Sequence, residues 1–206
     1  MFPFSRTILD FFFPPFCVGC GKDGAWLCQA CLLSIPLLEA SDTQIALSPY
    51  AHPTTRKLVT NLKYKSAICL RESLQAVLER YKREQPLPDW QAIMITSVPA
   101  SEKRLRERGV DQATLIADLL KETWYPDAAR SDLLKRIKHT LPNAKLEDER
   151  ARQGNVGGAF APLGQISGTV ILVDDVYTSG ATMKECARVL KEAGATDVKL
   201  FTIARG

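Results

Sequence analysis

Residues 170–183 read VILVDDVYTSGATM. Four apolar residues run without interruption into two adjacent aspartates, and a small, hydroxyl-rich turn follows at once. A short continuous apolar run of this kind is the pattern of a strand buried on both faces, here expected to end at Val173. Two neighbouring carboxylates inside a core would repel each other and lose their hydration. Asp174 and Asp175 therefore belong at the strand's end, facing something that needs two acceptors, such as a polyol or a cation.

The chain on either side repeats the theme. Residues 180–193 carry Met183, Ala187 and Leu190 at helical spacing and stop at Gly194, and VKLFTIA at 198–204 is a further apolar strand. Upstream, 92–98 reads as a strand and 112–124 as a helix with Leu115, Ile116, Leu119 and Leu120 on one face. Earlier still come a strand at 44–50, a helix from Pro53 to Lys63 and a longer helix over 67–83, closed by Pro86 and Pro88. Continuous apolar strands separated by helices predict an α/β fold, a parallel-rich sheet flanked by helices.

In such sheets ligands bind beyond the carboxyl ends of the strands. Residues 178–182 would form a strand-to-helix loop there, with backbone N–H groups at a helix N-terminus suited to a phosphate. Thr178, Ser179 and Thr182 add hydroxyls, while Gly180 and Ala181 let the backbone approach closely. Two acidic acceptors beside a phosphate cradle describe a ribose 5-phosphate. A second constellation, SVPASEKRLRERGVDQ at 97–112, follows another strand. Its Pro99 and Ala100 would turn backbone N–H groups toward a pyrophosphate, and Arg104 and Arg108 could fork onto its oxygens. The alternative is a solvated charged helix in which Glu102 and Glu107 pair with the arginines.

Cys17-x2-Cys20 and Cys28-x2-Cys31 form two knuckles with glycines at 19, 21 and 24. That spacing wraps four thiolates around one tetrahedral ion, so a structural Zn²⁺ is expected, with no open position for catalysis. A redox dithiol pair or a disulfide framework are the competing readings, and they suit secreted or thioredoxin-like chains. Cys69 and Cys186 stand alone and are expected to be inert core residues. With His52 and His139 the only histidines, a zinc hydrolase is a poor reading.

Residues 4–13 fit a short helix, either packed on the body of the protein or lying on a membrane surface or partner; Asp10, Pro14 and Pro15 make the segment too short to span a bilayer. The organisation expected is an N-terminal helix and zinc module over 1–43 and a larger domain over 44–206, in a cytoplasmic protein without a membrane span. The formal net charge of +4 permits polyanionic partners. Basic residues gather at Lys57, Lys63, Lys65, Lys103 to Arg108, and Lys135, Arg136, Lys138 and His139. They are either ordinary solvated charges or a surface for single-stranded DNA, with Tyr64, Trp124 and Phe160 the candidate stacking rings.

The stretch 170–182 resembles the 13-residue motif of type I phosphoribosyltransferases, which bind phosphoribosyl pyrophosphate (PRPP), with Tyr177 where that motif is usually aliphatic. Over nearly its whole length the chain resembles the ComF family, the ComFC and GntX-like proteins. The shared order runs from the four cysteines after FPPFC, through LKY at 62–64, VP…R…RG…Q at 98–112 and N…GAF at 155–160, to the PRPP motif. That resemblance implies a type I phosphoribosyltransferase-like domain with a zinc module, PRPP as ligand with Mg²⁺ on its pyrophosphate, and a role in taking up or using external DNA, including natural transformation. Asp174 and Asp175 would then be the catalytic pair of an active transferase acting on a base or amine, or the ribose clamp of a binding module working with DNA-uptake proteins. The chain departs from the family pattern in three places: Asp111 replaces an amide in Arg108-Gly109-Val110-Asp111-Gln112, Thr140-Leu141-Pro142-Asn143 shortens the usual T-x-x-Q, and the stretch between Leu146 and Asn155 is one residue longer. Either Arg150 or Arg152 matches the family arginine that follows.

Overall fold

The structure, a computed structural model, describes residues 15–64, 67–101, 105, 106, 109, 111–138 and 156–206. The helix expected over 4–13, together with Lys65, Lys103, Arg104, Arg108, His139, Thr140 to Asn143, Arg150 and Arg152, lies outside the described residues, as do the side chains of Lys63 and Tyr64.

Five parallel strands form the central sheet: β1 (Gln44–Pro49), β2 (Ala92–Ser97), β3 (Ala129–Arg130), β6 (Thr169–Tyr177) and β7 (Asp197–Arg205), in the order β1-β7-β6-β2-β3. The opening stretch is thus the middle strand. Its apolar letters alternate between two cores. Ile171 and Val173 pack with α2 (Pro53–Tyr64), α3 (Arg71–Glu84) and α4 (Gln112–Thr123) through Leu58, Leu78 and Ile116. Val170 and Leu172 pack on the other side against Met183, Cys186 and Leu190 of α5 (Ala181–Glu192). Covering both faces is what lets a parallel strand be apolar at every position. Each such side chain fully buried contributes roughly 1.5–3 kcal/mol.

β6 runs four residues past the expected end at Val173, because β7 is as long and keeps offering it a ladder: Asp174 pairs Thr202, Val176 pairs Ala204 and Tyr177 pairs Arg205. On its other edge β6 loses its neighbour. The last bond there is Val98 N–H to Val173 O at 2.9 Å, and Pro99, which has no N–H, follows.

The cysteine module packs on this body. A short helix, α1 (Gln29–Ser34), puts Leu32 into the α2–α4 core, joined by Ile35. The buried Arg80 of α3 donates from Nη1 to Leu32 O at 2.6 Å, which also accepts the Ile35 N–H at 3.3 Å, and to Ile35 O at 2.8 Å, so it satisfies carbonyls at the end of α1. Tyr81 Oη donates to Leu38 O at 2.7 Å, and Lys57 Nζ to Gly19 O at 2.8 Å.

Two expectations fail on burial. Cys69 is exposed, because 67–70 is a 3₁₀ turn in which Leu70 takes the inward position. Trp124 and Phe160 are buried and unavailable to bases. Trp124 stacks on Tyr81 at 5.7 Å and meets Phe201 edge-on at 5.5 Å. An antiparallel pair that the sequence did not signal, β4 (Leu134–Arg136) and β5 (Phe160–Pro162), sits over the α5 face with Leu134 and Phe160 turned inward.

Candidate functional site

Asp174 and Asp175 lie half-buried where β6 has lost β2 but still holds β7. Strand alternation sends them to opposite faces, and their electrostatic neighbours agree. Asp174 acts on Cys186 in α5, whereas Asp175 acts on Asp111 at the start of α4. Asp174 Oδ1 also accepts the Asp175 N–H at 2.8 Å. The pair therefore offers two diverging acceptors in place of one bidentate clamp.

The loop that follows is built around Gly180, which caps α5 with φ of +72° and is buried. A Cβ there would lie 2.2 Å from Tyr177 Oη, so the aromatic departure from the motif has its hydroxyl pressed against the loop glycine. Thr178 is exposed, Ser179 Oγ accepts the Ala181 N–H at a long 3.5 Å, and Thr182 lies in the first turn. That turn has no acidic residue and no side-chain cap. The N-terminal end of α5 thus keeps its positive polarity.

Ala100 N–H, read as a pyrophosphate donor, donates to Asp111 Oδ2 at 3.2 Å, while Asp111 Oδ1 accepts from Ala113 N–H at 3.0 Å and caps α4. Burial pushes the Asp111 carboxyl above its ordinary value; the N–H groups of Ala100, Ala113 and Thr114 oppose this, and the charge of Asp175 adds to it. Pro99, Ala100 and Asp111 line a cleft of about 470 Å³ together with Ser101, Lys135 and Arg136. Residues 174–182 do not line it. The structure brings Pro99 and Ala100 to this cleft and Asp174 to Thr182 to the adjoining strand end.

Sequence reading missed Arg130, whose Nε donates to Asp118 at 2.9 Å, Nη1 to Asp132 at 3.1 Å and Nη2 to Ser97 Oγ at 3.3 Å. It also missed Glu185, which accepts Gly158 N–H at 2.7 Å and so fastens the GAF segment to α5. The Arg188 hydrogen bond holds the Glu185 carboxyl below its usual range against the effect of burial. Arg130 had no signal, since a lone arginine in a two-residue strand shows no period. Gly158, at φ of +63°, was visible only as part of a motif.

At the other end, the ligand atoms of Cys17, Cys20, Cys28 and Cys31 lie within 4.8 Å of one another. Cys20 Sγ and Cys28 Sγ are 3.7 Å apart. A disulfide needs ~2.05 Å, whereas a tetrahedron with metal–sulfur bonds of ~2.3 Å has edges of ~3.8 Å. The residues fit a four-thiolate metal site. Burial would raise the Cys17 thiol, but N–H groups of Cys28, Cys20 and Gly19 outweigh it and bring it down to about 6; burial and the neighbouring sulfurs push Cys31 up to about 12. Gly19 is obligatory on space alone, since a Cβ would meet Cys31 Sγ at 2.6 Å.

A parallel α/β sheet with paired carboxylates at the end of its middle strand, a glycine-capped helix after them and a cysteine knuckle ahead defines the class: a phosphoribosyltransferase-type domain with a four-cysteine module. A family model described as the phosphoribosyl transferase domain matches residues 151–206. The chain is 31% identical to the DNA utilization protein YhgH of Salmonella typhimurium, over 92% of this chain and 83% of that protein. It is 32% identical to the protein of the same name from Salmonella typhi, over 78% and 71%. It is 27% identical to competence protein F of Haemophilus influenzae, over 93% and 85%. The chain belongs to the ComF family of competence and DNA-utilization proteins.

Proposed function

We propose that the protein binds PRPP with Mg²⁺ and serves the uptake or use of external DNA. The observation that carries the reading is the end of β6, where Asp174 and Asp175 precede a Gly180-capped helix without an acidic first turn. The diol of the ribose would be held by the two carboxylates, and the 5-phosphate by Thr178, Ser179, Gly180, Ala181 and Thr182. The pyrophosphate would lie toward Pro99 and Ala100, with Arg104 and Arg108 as its cationic partners. Carboxylate oxygens from Asp174 and Asp175 are the hard donors a divalent cation takes. Support for the DNA role comes from the relatives named for competence and DNA utilization.

A second reading is active transfer. The acceptor's nitrogen would bond to C1 of the ribose as the C1–O bond to pyrophosphate breaks, with the nitrogen's proton lost to solvent. Charge on the leaving pyrophosphate would be stabilised by the arginines and the metal. The match of residues 151–206 to a phosphoribosyl transferase domain favours this reading. Single-stranded DNA would track the basic residues on the surface, and its affinity should then fall steeply with salt.

Titration calorimetry of PRPP with Mg²⁺ tests the binding reading. Saturable one-to-one binding that D175N weakens by about tenfold or more is expected. Equal affinity of D175N and wild type would remove the ribose clamp. Pyrophosphate release over a panel of bases and amines tests transfer, and silence across that panel would leave binding alone.

A further inference from the structure

The sequence counts Arg136 among four basic residues of a surface cluster. The fold separates it from them. In β4 the buried Leu134 and the half-buried Arg136 share one face, while Lys135 points out and Lys138 beyond the strand is exposed. Two contacts aim the guanidinium. Its Nε donates to Pro99 O at 3.3 Å, and its central carbon lies 4.7 Å from the ring centroid of the buried Phe160, its register partner in β5. Arg136 also counters the effect of Asp174 on Cys186, so it is a cation on Asp174's side of the sheet. One side chain is therefore tied to the Pro99 loop and lies on the face of the sheet that carries Asp174, two motifs the sequence presents as separate.

The cleft's charges point the same way. Its acids are engaged, Asp111 by the Ala100 and Ala113 N–H groups and Asp132 by Arg130. Lys135, Arg136 and Lys138 line the same space. We propose that Arg136 is an anion-binding residue of this cleft, contacting the pyrophosphate end of the sugar ligand from the β4–β5 side. A guanidinium stays charged at every working pH, and its planar fork matches adjacent phosphoryl oxygens. Stacking on Phe160 and the bond to Pro99 fix its direction beforehand, so little is lost on binding. The assignment rests on the PRPP reading and adds a residue to it.

The test is calorimetry of wild type, R136A and R136K with three probes in Mg²⁺: PRPP, inorganic pyrophosphate and ribose 5-phosphate. R136A should weaken PRPP and pyrophosphate by about tenfold or more and leave ribose 5-phosphate within about twofold. Millimolar guanidinium should restore R136A, and sodium at the same ionic strength should not. R136K, which keeps the charge and loses the fork, should show the same selectivity with a smaller loss, and it carries the test if R136A does not fold. Unchanged pyrophosphate affinity, equal loss of all three probes, or indifference to guanidinium overturns the assignment while leaving the PRPP reading intact. Wild type that binds none of the probes overturns both.

Discussion

Asp111 joins the β2–α4 loop to its helix with one carboxylate, accepting from Ala100 on one oxygen and from Ala113 on the other. Its native pKa lies above the ordinary value of 3.8, chiefly through burial. Between those two values the folded protein holds a proton that the unfolded chain has released, so its contribution to stability falls as pH rises through that window and is level above it. D111N keeps one oxygen to cap the helix at Ala113, sets a donor NH2 against the Ala100 N–H at a cost independent of pH, and has no such titration. The stability difference between D111N and wild type should grow in favour of D111N from about pH 4 upward and then flatten, as read by urea unfolding across pH. A difference independent of pH would contradict the placement. The asparagine-to-aspartate departure was legible in the sequence. What it does was not, because the donor it takes, Ala100 N–H, is eleven residues away and is brought close only by the turn after β2.

Among the elements, the long apolar strands and amphipathic helices were legible because each repeats its pattern several times. The short ones were not: β3 has two residues, and β4 and β5 have three each, too few for alternation to show. The end of β6 was misjudged for a related reason, since two aspartates look like a terminus until β7 supplies partners to Tyr177. The turn into α5 depends on Gly180 for its left-handed backbone. G180A should cost about 1–2 kcal/mol from the backbone alone, and more because the new Cβ meets Tyr177 Oη. Urea unfolding should find the penalty smaller in a Y177A background, a coupling that a double-mutant cycle isolates. Additive losses would mean that the ring does not press on the loop.

At the scale of the molecule, the cysteine knuckle and the sheet share one core. Leu32 and Ile35 pack among the residues of α2, α3 and α4, and Arg80 takes two carbonyls from the module. The spacing of the cysteines was plain in the sequence, but this attachment was not, because Arg80 reads as one more charge among the charged residues of its helix. R80A should destabilise the whole chain by about 1–3 kcal/mol, since Ile35 O loses its Arg80 donor. It should also speed loss of metal to a chelator. C17S or chelation should lower the thermal midpoint of the entire protein in one transition, since a four-thiolate site contributes folding energy to whatever packs on it. Separate melting of the module, with the sheet unmoved, would show two independent units.

The central claim is that the end of β6 holds a ribose 5-phosphate, and a crystal structure with PRPP and Mg²⁺ tests it most directly. The prediction is the 5-phosphate on the backbone of 178–182, the ribose hydroxyls on Asp174 and Asp175, and the pyrophosphate running toward Pro99. A ligand whose phosphate lies elsewhere, with both carboxylates untouched, would contradict it.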